Sequence, residues 1–222
     1  GDFQPDKFAY LELPLWLSYE RGGGRSIKIA ARNFTQAKKG WGSNFYSRGD
    51  ISYRNAGANG AAMRVLPIAL VNMNNADRLY RDTFHNAITT HGHPRAILGS
   101  LIYASAVQFL LRESRISSEN LCEYLHDVID HSAEPLKRSN FIYQWLEEWD
   151  RRPLNGLKFK DTFEKTKSET IEYLKGISQR IDSEDKTYYE FTGALDPRFR
   201  GSGISTVLVA IYLFNKYLDN PQ

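Results

Sequence analysis

The glycines, histidines and arginine that could do chemistry in this chain fall into two short stretches. The first is NAGANGAAMRVLPIAL, Asn55 to Leu70, where a Gly/Ala/Asn turn runs into an apolar segment of helical character. Gly57 and Gly60 let the backbone come close to a ligand, and a helix starting near Ala61 would present free N–H groups and a positive dipole end. A phosphate or pyrophosphate suits such a junction. A tight turn followed by a helix cap accounts for the same residues, so the turn alone leaves both readings open.

The second stretch is TTHGHPRAIL, which places His91 and His93 at a break between two helices. A histidine at a helix C-terminal end feels a potential that favours its charged form, and a loop position leaves a ring nitrogen for ribose or phosphate. Capping, or a hydrogen bond within the turn, is the more ordinary use of such residues. The pair could also chelate a metal, but no third ligand lies nearby and that use is discounted. Arg64, one helical turn past the glycines, reads as structural first, bracing loop carbonyls or pairing with a carboxylate. Trp41, Phe45, Tyr46 and Tyr53 offer faces for a base, though large aromatics in a long loop more often plug it into the core. The acidic run YQWLEEWD, Tyr143 to Asp150, lies on a helix whose Trp145, Leu146 and Trp149 can face inward, leaving Glu147 and Glu148 on a solvated face. No nucleophile elbow, P-loop or HExxH string occurs.

The elements that must position these residues read as helices, with no persuasive period-two alternation over strand-length windows. Helices are expected at 5–20, 25–39, 61–73, 76–90, 94–113, 117–131, 139–151, 160–182 and 203–218, with Pro14 and Pro67 placed to bend or shift two of them. Gly22-Gly23-Gly24 ends the first, Pro94 suits a first helical turn, and Ser117-Ser118-Glu119-Asn120 reads as a capped start. Residues 40–55, rich in glycine and aromatics, are expected to be a loop beside the glycine turn, and 183–202 a second irregular stretch. No repeat, low-complexity tract or linker divides the chain, so residues 1–222 are taken as a single all-α domain.

Composition narrows the class further. With 222 residues and 41% apolar content the chain can bury a sizeable core, and 29 basic against 26 acidic residues give a net charge of only +3. Any anion site must therefore be local rather than a whole-surface field. The single cysteine, Cys122, permits no internal disulfide, from which a reducing, cytoplasmic setting is inferred. The longest apolar runs are interrupted and read as too short for a membrane span.

At NGAAMRVLPIAL, Asn59 to Leu70, followed by THGHPRAILGSLIYASAV, Thr90 to Val107, the chain resembles the ADP-ribosylglycohydrolase family. GGGRSIKIAARN, Gly22 to Asn33, and GSGISTVLVAIYLF, Gly201 to Phe214, extend the resemblance over nearly the whole chain. The resemblance implies an orthogonal all-α fold around a binuclear magnesium centre that binds ADP-ribose. It implies that Gly57, Ala58, Asn59, Gly60, Ala61, Ala62 and Met63 hold the diphosphate and distal ribose region, that His91 contacts the ligand, and that Gly203 and Ile204 line the pocket near its edge. The reaction implied is hydrolysis of the glycosidic bond at the anomeric carbon of ADP-ribose, with ADP-ribose or an ADP-ribosylated macromolecule as partner.

The family draws its metal ligands from a TDDT-like motif near the N-terminus and a GGDTDT-like motif near the C-terminus, and neither string occurs in these 222 residues. No metal ligand and no catalytic residue is therefore named. The preferred reading is a domain incomplete at both ends, completed by flanking segments or a second chain; aligning GSGIST with the last motif instead would put Gly203 and Ser205 at two aspartate positions. Three functions follow: a piece of an ADP-ribosylglycohydrolase first, a non-catalytic relative that binds ADP-ribose, a nucleotide or a protein second, and a helical scaffold third.

Overall fold

The computed structural model describes residues 3–36, 40–134 and 140–218, and the ends of the expected helices at 37–39 and 139 lie outside them. The chain opens with α1 (Pro5–Lys7), a π-helical turn (Phe8–Glu12) and α2 (Leu13–Trp16). Pro14 has no N–H to give to Tyr10, and the ladder widens over the turn just before it. After the glycines, α3 (Arg25–Gln36) packs back on this segment through Ala9, Leu13, Ala31 and Phe34.

Residues 61–73 do not form the single helix expected. A 3₁₀ turn (Ala62–Arg64) comes first, and α4 (Leu66–Val71) starts only after Val65. Pro67 explains the break, because it cannot donate to the carbonyl of Met63 and its ring would collide with it. Helix α5 (Ala76–Ile88) is capped by Asn75, whose side chain accepts from the Arg78 N–H at 2.9 Å. Helix α6 (Pro94–Arg112) starts on proline, as its sequence predicts. Helix α7 (Ser118–Asp130) has the capped start expected there, and the structure makes it reciprocal between Ser117 and Asn120, with bonds of 2.8 and 3.1 Å. Then follow α8 (Asn140–Asp150), α9 (Phe159–Arg180), α10 (Asp185–Phe191) and α11 (Gly203–Tyr217).

Two stretches expected to be irregular carry elements. Within 40–55, β1 (Ser47–Arg48) pairs antiparallel with β2 (Ile51–Ser52), Ser47 facing Ser52, around Gly49 at φ +60°. Within 183–202, α10 forms because Tyr188, fully buried, stacks on Tyr212 at 4.3 Å and donates to the Tyr173 carbonyl at 2.9 Å. Seven residues are too few to show a helical period in sequence, so tertiary burial decides this helix.

Helix α6 is the axis, packed by α4, α5, α7, α9 and α11. Contrary to the sequence reading, it is long and apolar enough to cross a bilayer; here 67% of its most apolar 18-residue stretch is buried inside the fold. Its closest neighbour is α11. A Cβ on Gly99 would lie 2.5 Å from the Gly203 carbonyl, and one on Gly203 would lie 2.3 Å from the Arg95 carbonyl oxygen. Bare backbone on both sides therefore sets the helix separation. Gly99→Ala is expected to cost about 2–3 kcal/mol in urea unfolding, since the clash falls on backbone that cannot rotate away. Gly40→Ala, whose Cβ meets only Ser43 Oγ at 3.7 Å, should stay within about 0.5 kcal/mol of the parent.

Candidate functional site

The close α6–α11 contact delivers the start of α11 to the glycine turn. Gly203 N–H donates to the Gly57 carbonyl at 2.9 Å, Asn59 N–H donates to the Gly201 carbonyl at 2.7 Å, and Ala58 pairs antiparallel with Ser202. Around this junction lies a cavity of about 690 Å³. Its wall is assembled from 21–27, from Asp50 to Arg64 through the hairpin and glycine turn, from His91, His93 and Arg95, and from 198–202.

The helix expected to aim its N-terminus from Ala61 is a 3₁₀ turn, so that source of positive potential is absent. Three longer helices supply it instead. Arg25 and Ser26 open α3, Arg95 lies in the first turn of α6, and Ser202 is the N-cap of α11, all on the cavity wall. Each helix start carries roughly half a positive charge, and their convergence favours an anion. Ser202 is 8% exposed, and its hydroxyl oxygen is buried without a hydrogen-bond partner among the described residues. An orphaned hydroxyl on a cavity wall is a polar group with unused capacity for a ligand.

Arg64 braces the turn from beneath. Its Nη1 donates to the Gly60 carbonyl at 2.9 Å, its Nε to Asn86 Oδ1 at 2.8 Å, and its Nη2 to the Asn86 carbonyl and to Thr90 Oγ1, both at 2.7 Å. Of the two partners expected from sequence, carbonyls win and no carboxylate takes part. The Phe8 ring, 5.1 Å from Cζ, closes over the guanidinium. Burial pushes its pKa down to about 9, which leaves the charge in place at neutral pH.

His91 and His93 are 2% and 8% exposed. Burial first, and then the Arg64 charge, pushes His91 down to about 3; burial and then Arg95 do the same to His93. The expectation of a charged histidine at the end of α5 is thus corrected. A helix dipole is worth at most about 2 kcal/mol, whereas a fall from 6.5 to about 3 corresponds to on the order of 5 kcal/mol. His93 caps α6, its Nδ1 accepting from the Arg95 N–H at 3.1 Å.

The aromatic residues of 40–55 form a plug rather than a base platform. Tyr53 is fully buried, donates to the Ile88 carbonyl and accepts from Trp145 Nε1 at 3.0 Å. Tyr46 donates to the Thr90 carbonyl at 3.0 Å, and Trp41 stacks on Phe141 at 4.4 Å. Phe45 lies 4.6 Å from Tyr53, and Trp145 and Trp149 are buried as expected.

Six arginines (21, 25, 64, 95, 198 and 200) face the cavity against one carboxylate, Asp50. Asp50 is exposed and sits 3.4 Å from Arg25; Arg95 is held by Glu169 at 3.0 Å and Arg198 by Asp196 at 2.7 Å. A magnesium ion needs several oxygen ligands in near-octahedral array. Among the described residues no three His, Cys, Asp or Glu side chains are grouped to hold a metal, and Nδ1 of both cavity histidines is already engaged. This donor set does not fit a binuclear magnesium centre.

A family model for ADP-ribosylglycohydrolase matches residues 2–222. The chain belongs to the ADP-ribosylglycohydrolase family. No curated protein and no solved structure matches it. Of the residues that the family resemblance singles out, Gly57, Ala58, Asn59, Gly60, Met63 and His91 are on the cavity wall. Ala61, Ala62, Gly203 and Ile204 are buried behind it, and Gly201 and Ser202 take the edge position in place of the last two. Ser205 turns into the core, where it donates to the Thr192 carbonyl at 2.8 Å. Sequence reasoning missed Arg21, Arg25, Arg198 and Arg200, although RGGGR running into α3 and RFRG just ahead of the α11 cap are both readable as basic residues beside helix starts.

The buried histidines set a pH dependence. The unfolded chain takes up protons below pH 6.5 while the folded sites stay neutral down to about 3, so stability is full above 6.5 and is lost as pH falls. At pH 5 each histidine is expected to remove about 2 kcal/mol relative to pH 8. Urea unfolding at the two pH values measures this, and His93→Gln should flatten the slope by about half of the pair's share.

Proposed function

We propose that the cavity binds the diphosphate of ADP-ribose, and that the domain serves an ADP-ribosylglycohydrolase-type hydrolase acting on an ADP-ribosylated target. The observation that carries this is the convergence of three helix starts and six arginines on a glycine turn in a family whose substrates are ADP-ribosylated. In this reading the Gly57–Gly60 backbone lies against the diphosphate, arginines 21, 25, 198 and 200 balance its charge, and His91 meets a ribose or phosphate oxygen through its outer ring nitrogen. Arg21 and Arg200 have no side-chain bond or ion pair among the described residues and can turn to a ligand without breaking one.

The chemistry is attack of water at the anomeric carbon with departure of the target, through an oxocarbenium-like transition state. Two magnesium ions, which the family resemblance implies, would supply orientation of the ribose hydroxyls and the water. Among the described residues the cavity wall does not furnish their ligands. The single, arginine-paired carboxylate favours a second reading, a relative that binds ADP-ribose without cleaving it.

Calorimetric titration with ADP-ribose tests the binding, and release of ADP-ribose from a modified protein separates the two readings. Gly60→Leu places carbon 3.1 Å from His91 Cε1 and fills the cavity floor. It is expected to weaken ADP-ribose by tenfold or more, about 1.4 kcal/mol, while stability changes by under about 1 kcal/mol. Unaltered binding in that variant would remove the glycine turn from the site.

A further inference from the structure

Three groups beneath the glycine turn form a directed chain. Arg64 carries donors only, so its Nη2 contact at 2.7 Å uses a lone pair of Thr90 Oγ1. Thr90 Oγ1 also lies 2.7 Å from Nδ1 of His91. Two proton arrangements satisfy that second contact. If Nδ1 carried the proton, Thr90 Oγ1 would accept twice and its own buried hydrogen would be left without an acceptor among the described residues. If Thr90 donates, every proton in the chain has an acceptor.

From this geometry we infer that Arg64 and Thr90 are positioning residues that fix His91 in the tautomer with a bare Nδ1 and a protonated Nε2, making it a neutral hydrogen-bond donor to the cavity ligand. Nε2 has no partner among the described residues, and it belongs to the ring edge against Gly60, where a Cβ would stand 3.2 Å from it. A neutral donor of this kind binds an ether, hydroxyl or phosphoryl oxygen and neither coordinates a cation nor takes up a proton through Nε2. The site is therefore specific for ligand acceptors at this point. His93 has the same polarity for a separate reason, since its Nδ1 accepts from a backbone N–H. The two rings thus present like donors beside the turn. The identity of the ligand oxygen rests on the ADP-ribose reading; the proton arrangement does not.

The test has two arms on the 222-residue chain. Long-range ¹H–¹⁵N spectra of the ligand-free protein at pH 7 report the tautomer directly, and the expected result is a bare, hydrogen-bonded Nδ1 and a protonated Nε2 on His91. A proton on Nδ1, or a charged ring, overturns the inference. In the second arm, Thr90→Val removes the hydroxyl while Arg64 keeps both of its bonds to Asn86. It should shift the His91 Nδ1 resonance and weaken ADP-ribose about tenfold, the worth of one hydrogen bond to a misdirected donor. Thr90→Ser should restore both to near the parent values. Wild-type affinity in Thr90→Val, with Thr90→Ser no different, overturns the positioning role. If ADP-ribose binds neither parent nor variant, the ligand reading falls and the spectra alone decide the relay.

Discussion

The contact between Gly99 and Gly203 is the constraint on which the site depends. Side chains on either residue would hold α11 away from α6, and the segment 201–203 could not then reach the glycine turn. The backbone bonds from Gly203 to Gly57 and from Asn59 to Gly201 are consequences of that separation. Gly92 plays a related part on the other side, where a Cβ would fall 2.2 Å from the Tyr53 ring. The corner between α5 and α6 is thus pressed against the aromatic plug, which positions His91 and His93 from behind. Packing of small residues, rather than any feature of the cavity itself, determines where its wall stands.

Electrostatics follow from this packing. Arg64 stays charged because four acceptors, three carbonyl or amide oxygens and one hydroxyl, replace its water. Its charge in turn disfavours protonation of His91, so burial and charge act in one direction on that ring. The cavity therefore holds fixed positive charge on arginine and helix starts, with neutral donors at its floor. Such an arrangement suits anions over a broad pH range, because none of the donors near the floor titrates between 5 and 8.

Much of this was legible from residue types. The Gly57–Gly60 turn, the Pro94 start, the Ser117 cap and the inward face of α8 follow from local rules, and local rules hold where few alternatives compete. Arg64 as a brace for carbonyls was readable because a lone arginine one turn past a glycine loop has little else to do. Other features were not readable. Helix α10 exists because Tyr188 finds Tyr212 and Tyr173, contacts separated by 24 and 15 positions, and no window of sequence contains them. The state of His91 depends on burial and on Arg64, so its position after α5 predicted the wrong charge. The late start of α4 is the shift that Pro67 was placed to cause: it cannot donate to the Met63 carbonyl, so the 3₁₀ turn at Ala62–Arg64 stands apart from the helix.

The cavity wall is drawn from Trp16 and four further segments reaching to position 202, so no part of the chain smaller than most of the domain can build it. Closing loops of that length is entropically slow, and contacts of such sequence separation are completed after local helices have formed. The site is complete only when all of these segments are in place. Displacing any one of them opens the wall, however well the remaining helices hold.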